Sequence, residues 1–401
     1  IAGLPDAAGR KEPMIPVRFT LFRMALTVAV ALAFVMPVEV PGGVVSSVGS
    51  LTAHAQTRKK ASRKNSRKRR PRGPVKPEFK DDSSRSAGEN LSSHMDRFFA
   101  SNTLLYGSFV AIDARTGALL SYSEYSSKGA RVKSPGVYTG FPAASVFKIV
   151  STAALLQGGH VEPSVRVCYT GGAHGLSSSN LVDRRNERSC KTLTQAFAAS
   201  TNAVFGKLAV KYLTADSLVD MARRFGFGKT IQVGAKSSIS KILRPEGRLS
   251  LARMAAGFSG SLMSPLHGAV IAAIIANDGK WPSEVSVGGS GGGMSMEVIS
   301  RSTALEIGRM MTRVVEQGTG TRHLAGLRTL SGHIPAIKTG SLTSRDGTGI
   351  WNNWVVGFYP ADAPEIAFAA HVGHRGGGAL KAGQIARYAL ETWIRLERAR
   401  R

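Results

Sequence analysis

The chain has 401 residues, 43% of them hydrophobic, with two Cys and a formal net charge of +27 from 53 Lys and Arg against 26 Asp and Glu. That apolar content excludes a wholly disordered chain, two thiols exclude a disulfide-dense mini-protein, and no Cys/His cluster has the spacing of a zinc site. The length allows one large domain or two modest ones.

Arg10, Lys11, Arg18 and Arg23 precede an uncharged apolar run from Met24 to Met36, broken by Pro37 and Glu39 and followed by Ala53-His54-Ala55. Such a run suits the apolar core of an export signal and is short for a hydrocarbon layer of about 30 Å. Residues 1–55 are therefore expected to be a signal peptide or an N-terminal membrane anchor. The chain opens on Ile1, and Met14 or Met24 could be the start of translation.

Between Arg58 and Arg72, ten of fifteen residues are basic, with no apolar period. This is expected to be a solvated arm, either a spacer or a tether to a polyanion such as an anionic membrane or wall surface. Export would place the chain in the periplasm or on the outer face of a bacterial inner membrane, remove nucleic acid as a partner and put both Cys in an oxidising space. Pro, Lys, Ser, Asp and Gly continue to about Asn90, so residues 56–90 read as arm and linker and residues 91–401 as the folded domain.

The domain opens with two strands, Gly107 to Asp113 and Ala118 to Tyr122, around a Gly-containing turn. Ser145 to Gln157 has helical spacing and stops at Gly158-Gly159. Thr192 to Ala199 and Ala203 to Leu213 are two helices joined at Ser200-Thr201-Asn202. An apolar helix opens near Leu262-Met-Ser-Pro-Leu-His267, and Gly288 to Gly293 is a surface loop. Ile334 to Gly340, Asn353 to Tyr359 and Ile366 to Val372 are strands, and Gln384 to Glu397 is a closing amphipathic helix. Cys168 and Cys190 flank a polar stretch with little visible core. They are candidates for a disulfide, which would add roughly 3 kcal/mol by closing that loop, or else are two buried thiols.

Three motifs carry chemistry. In Ser145-Val-Phe-Lys148 the two side chains share a helix face, so the amine can take the hydroxyl proton if its pKa is lowered. Ser238-Ile-Ser-Lys241 repeats the spacing, so the motif alone decides nothing. Ser200-Thr201-Asn202 puts a hydroxyl and a carboxamide in one turn, where they either face a cleft or cap a helix. Ser178-Ser-Asn180 is a second match. Lys338-Thr339-Gly340 on an edge strand offers a cation and a hydroxyl to a carboxylate, with a Gly against which a ligand can lie. Ser145, Ser200 and Lys338 follow in the order of the signature of penicillin-binding proteins and serine β-lactamases. The copy at Ser238 has no Ser-x-Asn between it and Lys338.

On these residues the chain resembles the penicillin-binding transpeptidase domain. The likeness extends to Ile112-Asp-Ala-Arg-Thr-Gly-Ala-Leu119, Phe141-Pro-Ala-Ala144, Met263-Ser-Pro-Leu266, Gly318-Thr-Gly320 and Trp354-Val-Val-Gly-Phe-Tyr-Pro360, and covers roughly Leu104 to the C-terminus. The resemblance implies an α/β (α+β) three-layer fold, with a mainly antiparallel sheet between helices and an α-helical lobe beside it.

It also implies a peptidoglycan D,D-transpeptidase that cross-links stem peptides through an acyl-enzyme on Ser145 and is acylated by β-lactams. Lys148 would be the base, Ser200 and Lys338 the proton path to the leaving amine, and Asn202 the holder of the peptide amide. Thr339 would take the terminal carboxylate, beside Gly340, and the backbone N–H groups of Ser145 and Ser341 the oxyanion. No cofactor or metal is implied. Ser341 stands where Thr is commoner, and neither a pedestal nor a glycosyltransferase domain is expected in the residues before Leu91. The alternatives are a D,D-carboxypeptidase, a β-lactamase, or a penicillin sensor without turnover. No Glu-x-x-x-Asn loop of the class A β-lactamases follows Asn202, and the oxacillinase type has Val at that position.

Overall fold

In the computed structural model the described residues are 90–172, 175–289, 296–376 and 380–400. The chain divides into two units, Ile1–Pro71 and Arg72–Arg401, and every described residue belongs to the second. The export segment, the basic arm, the linker and residues 290–293 of the Gly/Ser loop lie outside the described residues. Among those described, no helix is long and apolar enough to cross a membrane.

Helix α1 (Leu91–Ala100) is capped by the Asn90 side chain, which accepts from Ser93 N. It leads into the hairpin of β1 (Tyr106–Asp113) and β2 (Leu119–Ser126), whose turn is closed by Asp113 Oδ1 accepting from Arg115 and Thr116 N–H. The middle of the chain then builds the helical lobe. After α2 (Lys148–Gln157) come a small ribbon, β3 (Arg166–Tyr169) with β4 (Ser189–Thr192), and α3 (Leu193–Ala198), α4 (Asn202–Tyr212) and α5 (Ala215–Arg224). Cys168 and Cys190 stand opposite each other in the ribbon and form a disulfide.

Short strands β5 (Thr230–Val233), β6 (Lys236–Ile239), β7 (Lys241–Ile242), β8 (Ser261–Leu262) and β9 (Ser286–Val287) surround α6 (Gly247–Ala255) and α7 (Pro265–Ala276). Then follow α8 (Arg301–Gln317), α9 (Thr321–Leu324), α10 (Leu327–Ser331), the strands β10 (Ala336–Thr343), β11 (Ile350–Tyr359) and β12 (Ile366–Arg375), and α11 (Ala382–Arg400).

The last three strands return to the first two, giving an antiparallel sheet in the order β10-β11-β12-β1-β2. Helices α7 and α8 pack on one face, and α1 and α11 on the other. Strand β12 is therefore buried along nine of its ten residues, whereas the edge strand β2 alternates. Helix α7 buries eleven of twelve residues and has no polar face. It lies close on the sheet at Gly268, where an added Cβ would meet Ala369 Cβ and Val356 Cγ2 at 3.1 Å.

The expected strands and closing helix are present with extended ends, and the three-layer architecture holds. Helix α8 was not anticipated, although Ala304, Ile307, Met311, Val314 and Val315 recur on one face. Its position matters because it hands the chain to Gly318-Thr319-Gly320 beside β10.

Candidate active site

The nucleophile candidate does not sit on an α-helix. Ala144–Phe147 form a 3₁₀ turn, and the α-helix starts at Lys148. In a 3₁₀ turn residues i and i+3 eclipse, so Lys148 lies directly over Ser145 and its Nζ donates to Ser145 Oγ at 2.8 Å. The turn is entered through Ala144 at φ 50, a left-handed conformation costly for a residue with a Cβ. Its surroundings hold it there. Trp354 Nε1 donates to Pro142 O at 3.0 Å, and Gly257 runs so near that a Cβ would lie 2.0 Å from Ala144 O.

Ser200 also has positive φ, 55°, at the end of α3, whose start is fixed by the reciprocal Thr192–Gln195 capping box. Neither Ser200 nor Asn202 caps α4; the cap position belongs to Thr201, which makes no side-chain cap bond. Both motif side chains are thereby directed to the centre. Asn202 Oδ1 accepts from Lys148 Nζ at 2.7 Å, and Ser200 Oγ accepts from Lys338 Nζ at 3.1 Å.

Lys338 lies on β10, the edge strand of the sheet as expected, and also donates to Thr339 O at 2.9 Å. Gly340 lines the cleft and also packs closely on the protein itself. The space a side chain would take is filled by the protein itself, with Ala144 Cβ and Ser145 N 3.2 Å from an added Cβ. Gly340 lets the strand approach the nucleophile turn. That approach brings the Ser145 and Ser341 backbones together.

The two lysines are fully buried, which the sequence could not reveal. Burial lowers the Lys148 pKa far below its ordinary value, and the Lys338 charge lowers it further. Burial alone brings Lys338 down to about 7. Each ammonium also faces an aromatic ring, Lys148 over Phe205 and Lys338 over Phe197. Lys148 Nζ keeps three acceptors, Ser145 Oγ, Asn202 Oδ1 and Ala256 O. These fix the direction of its lone pair when it is neutral.

A cleft of about 430 Å³ opens over Ser145, Ser200 and Asn202, and a second of about 260 Å³ adjoins it at Ser145 and Ser341. No carboxylate lines either one among the described residues. Sequence reasoning gave no role to several groups there. Thr319 hydrogen-bonds the Thr339 hydroxyl, adding a second hydroxyl to the wall. Asn353 Nδ2 donates to Ser341 Oγ at 2.7 Å while its Oδ1 accepts from Ala382 N, tying the end of β10 to α11. Lys381 stacks over Trp351, and burial followed by the charges of Arg322, Arg387 and Lys381 lowers the His323 pKa. This end of the cleft is electropositive.

The two competing motif copies are accounted for locally. Ser238 is on strand β6 and bonds Ser264 Oγ at 2.8 Å, so it shares no helix face with Lys241. Asn180 closes its own turn through Ser177 N and Thr170 O.

Residues 107–391 match the penicillin-binding protein transpeptidase domain family. Among curated proteins, the peptidoglycan D,D-transpeptidase PbpA of Mycobacterium tuberculosis is 27% identical over 259 residues, covering 58% of this chain and 50% of that protein. Penicillin-binding protein PbpB of Mycolicibacterium smegmatis is 27% identical over 286 residues, covering 65% of this chain and 43% of that protein. The chain thus spans about half the length of the curated relatives it matches. The D,D-transpeptidase domain of a peptidoglycan glycosyltransferase from Eggerthella lenta superposes with a TM-score of 0.59 at 23% identity, covering 77% of this chain and 81% of that one. Penicillin-binding protein 3 of Mycobacterium tuberculosis, complexed with ampicillin, superposes with a TM-score of 0.61 at 21% identity over 77% of this chain and 76% of that one.

Proposed function

The chain belongs to the penicillin-binding protein transpeptidase family, and from that premise we propose that it is a peptidoglycan D,D-transpeptidase. Its acyl donor is a stem peptide ending in D-Ala-D-Ala. β-Lactams are its inhibitors, and it requires no cofactor.

The observation that carries this reading is the pair of buried lysines, each bonded to one serine: Lys148 to Ser145 and Lys338 to Ser200. Neutral Lys148 takes the Ser145 proton as Oγ attacks the penultimate D-Ala carbonyl. The N–H groups of Ser145 and Ser341 hold the oxyanion. When the tetrahedral intermediate collapses, Oγ keeps the acyl group as an ester, and the terminal D-Ala leaves as an amine protonated through Ser200 from the lysine pair. Asn202 holds the peptide amide, and Thr339 with Thr319 receives the terminal carboxylate at the electropositive end. A second amine then attacks the ester carbonyl, the C–Oγ bond breaks, Ser145 Oγ regains a proton from the amine through Lys148, and the cross-linking amide forms.

A cleft lined by no described carboxylate favours a long-lived acyl-enzyme over a β-lactamase, because no carboxylate base stands ready to activate water. The test uses a labelled penicillin. An adduct on Ser145 that lasts minutes to hours, together with transfer of the acyl group from a D-Ala-D-Ala donor to an added amine, is the expected result. Release within seconds would instead identify a β-lactamase, and release of D-Ala to water alone a carboxypeptidase.

For residues 1–90 the proposal is export, by a cleaved signal or an anchor, with the basic arm as an electrostatic tether ahead of a transpeptidase domain at 91–401. Deleting residues 58–72 should weaken pelleting with anionic vesicles or sacculi at low salt and leave the acylation rate unchanged. The intact protein should lose its pelleting between low and physiological salt, where the Debye length falls to about 8 Å. Equal, salt-insensitive pelleting of both proteins would reduce the arm to a spacer.

A further inference from the structure

The disulfide ribbon bears on the catalytic centre through two cations. Strand β4 runs from Cys190 directly into α3, so the disulfide is ten residues from Ser200 along a continuous ribbon and helix. Leu193 N and Thr194 N bond back to Val165 O and Pro163 O, stitching the start of α3 to the chain entering β3. Lys191, next to Cys190, donates to Thr201 Oγ1 at 3.1 Å. Thr201 is the middle residue of Ser200-Thr201-Asn202.

The second link runs the other way. Lys207, one turn along α4 from Asn202, donates to Cys168 O at 2.9 Å. Its ammonium, 5% exposed, also pairs with Asp183 at 3.1 Å and with Glu187, both in the loop that the disulfide closes. The motif is thus held from both sides, α3 and Thr201 by β4, and α4 by β3 and its loop. Nothing in the proton path requires these contacts. What they fix is where Ser200 meets Lys338 and where Asn202 meets Lys148, two bonds of 3.1 and 2.7 Å in which small displacements matter.

We propose that the disulfide-closed β3–β4 ribbon is a positioning element for Ser200 and Asn202, with Lys191 as its positioning residue, so that the rate of acylation depends on the oxidation state of Cys168–Cys190. This rests on the acyl-enzyme chemistry proposed above. On reduction, a dithiol such as dithiothreitol gives two electrons and two protons to the disulfide. Two cysteine thiols form, and dithiothreitol closes to its cyclic disulfide. The ribbon then keeps only its few ladder bonds, and Lys191 and Lys207 pull on a loop no longer covalently closed.

The experiment uses the full chain and a fluorescent penicillin, with rates normalised to titrated sites. Lys191→Met is expected to acylate about tenfold more slowly, the worth of one hydrogen bond to a charged group. Its Tm should stay within a few degrees, and Lys191→Arg, which keeps a donor, should recover most of the rate. Thr201→Val should slow acylation similarly. The double variant should be no slower than either single one, because both remove the same contact.

Reduced and desalted wild-type protein should be slowed by a comparable factor and recover on reoxidation. Cys168→Ser with Cys190→Ser should behave as the reduced protein. Wild-type rates in Lys191→Met, strictly additive effects in the double variant, or an unchanged rate after verified reduction would each overturn the proposal. If the oxidised wild-type protein takes up no penicillin at all, it is the proposed function that fails.

Discussion

Ser145→Ala is expected to abolish the penicillin adduct completely while leaving the fold intact. Among the described residues no other hydroxyl hydrogen-bonds Lys148 Nζ, and the removed Oγ belongs to a residue that lines the cleft rather than the core. Lys148 loses one acceptor of three and keeps Asn202 Oδ1 and Ala256 O, so no buried donor is orphaned. Intact-mass spectrometry should find no added mass after long incubation, and the Tm should change by no more than a few degrees. An adduct that persists in the variant and maps to Ser238 would end the assignment of the motif.

Lys148→Ala should slow acylation by about 10² to 10⁴-fold, the usual contribution of a positioned general base. Lys148→Arg should fail as well, since a guanidinium stays charged and cannot accept the serine proton. The wild-type pH profile gives an independent check of the base. Burial and the neighbouring Lys338 charge lower the Lys148 pKa, so the amine is neutral over a wide range below the ordinary lysine value of 10.5. The acylation rate should therefore stay flat as pH falls below 10.5 and decline only as pH is lowered through that depressed pKa. A limb near pH 10 would mean that Lys148 is charged at rest and some other group takes the proton.

Stability follows the same sign. Both lysines bind fewer protons folded than unfolded, so their contribution to stability increases as pH rises. For Lys338 the window runs from about 7 to 10.5.

How much of this was legible in the sequence depended on whether the signal was local. Ser145, Lys148, Ser200, Asn202 and Lys338 could be chosen because residue type, spacing and order carry the chemistry. The competing copies at Ser178 and Ser238 fail for physical reasons, one folded into its own turn and the other set on a strand. The hairpin, the three late strands and the closing helix followed from period and turn residues. The helix α8 pattern was present and not read. The second constraint on Gly340, the close Ala144–Phe147 turn, was out of reach because that turn is almost two hundred residues away in sequence.

Residue type, spacing and order along the chain were enough to nominate the reacting groups: two Ser-containing motifs and a Lys on an edge strand, an ordered set that no single motif could establish. Their proximity and burial came from tertiary packing alone. A lysine becomes a base when its charge is buried, and Lys148 is fully buried, with the Lys338 charge lowering its pKa further. The 3₁₀ geometry that eclipses Ser145 and Lys148 needs Gly257 and Gly340 against it, and the direction of Ser200 needs a left-handed backbone that the flanking helices impose. Thr319, Asn353 and Lys191 joined the site for the same reason. Hydrogen bonds and desolvation act over a few ångströms of space, whereas a sequence motif registers only neighbours along the chain.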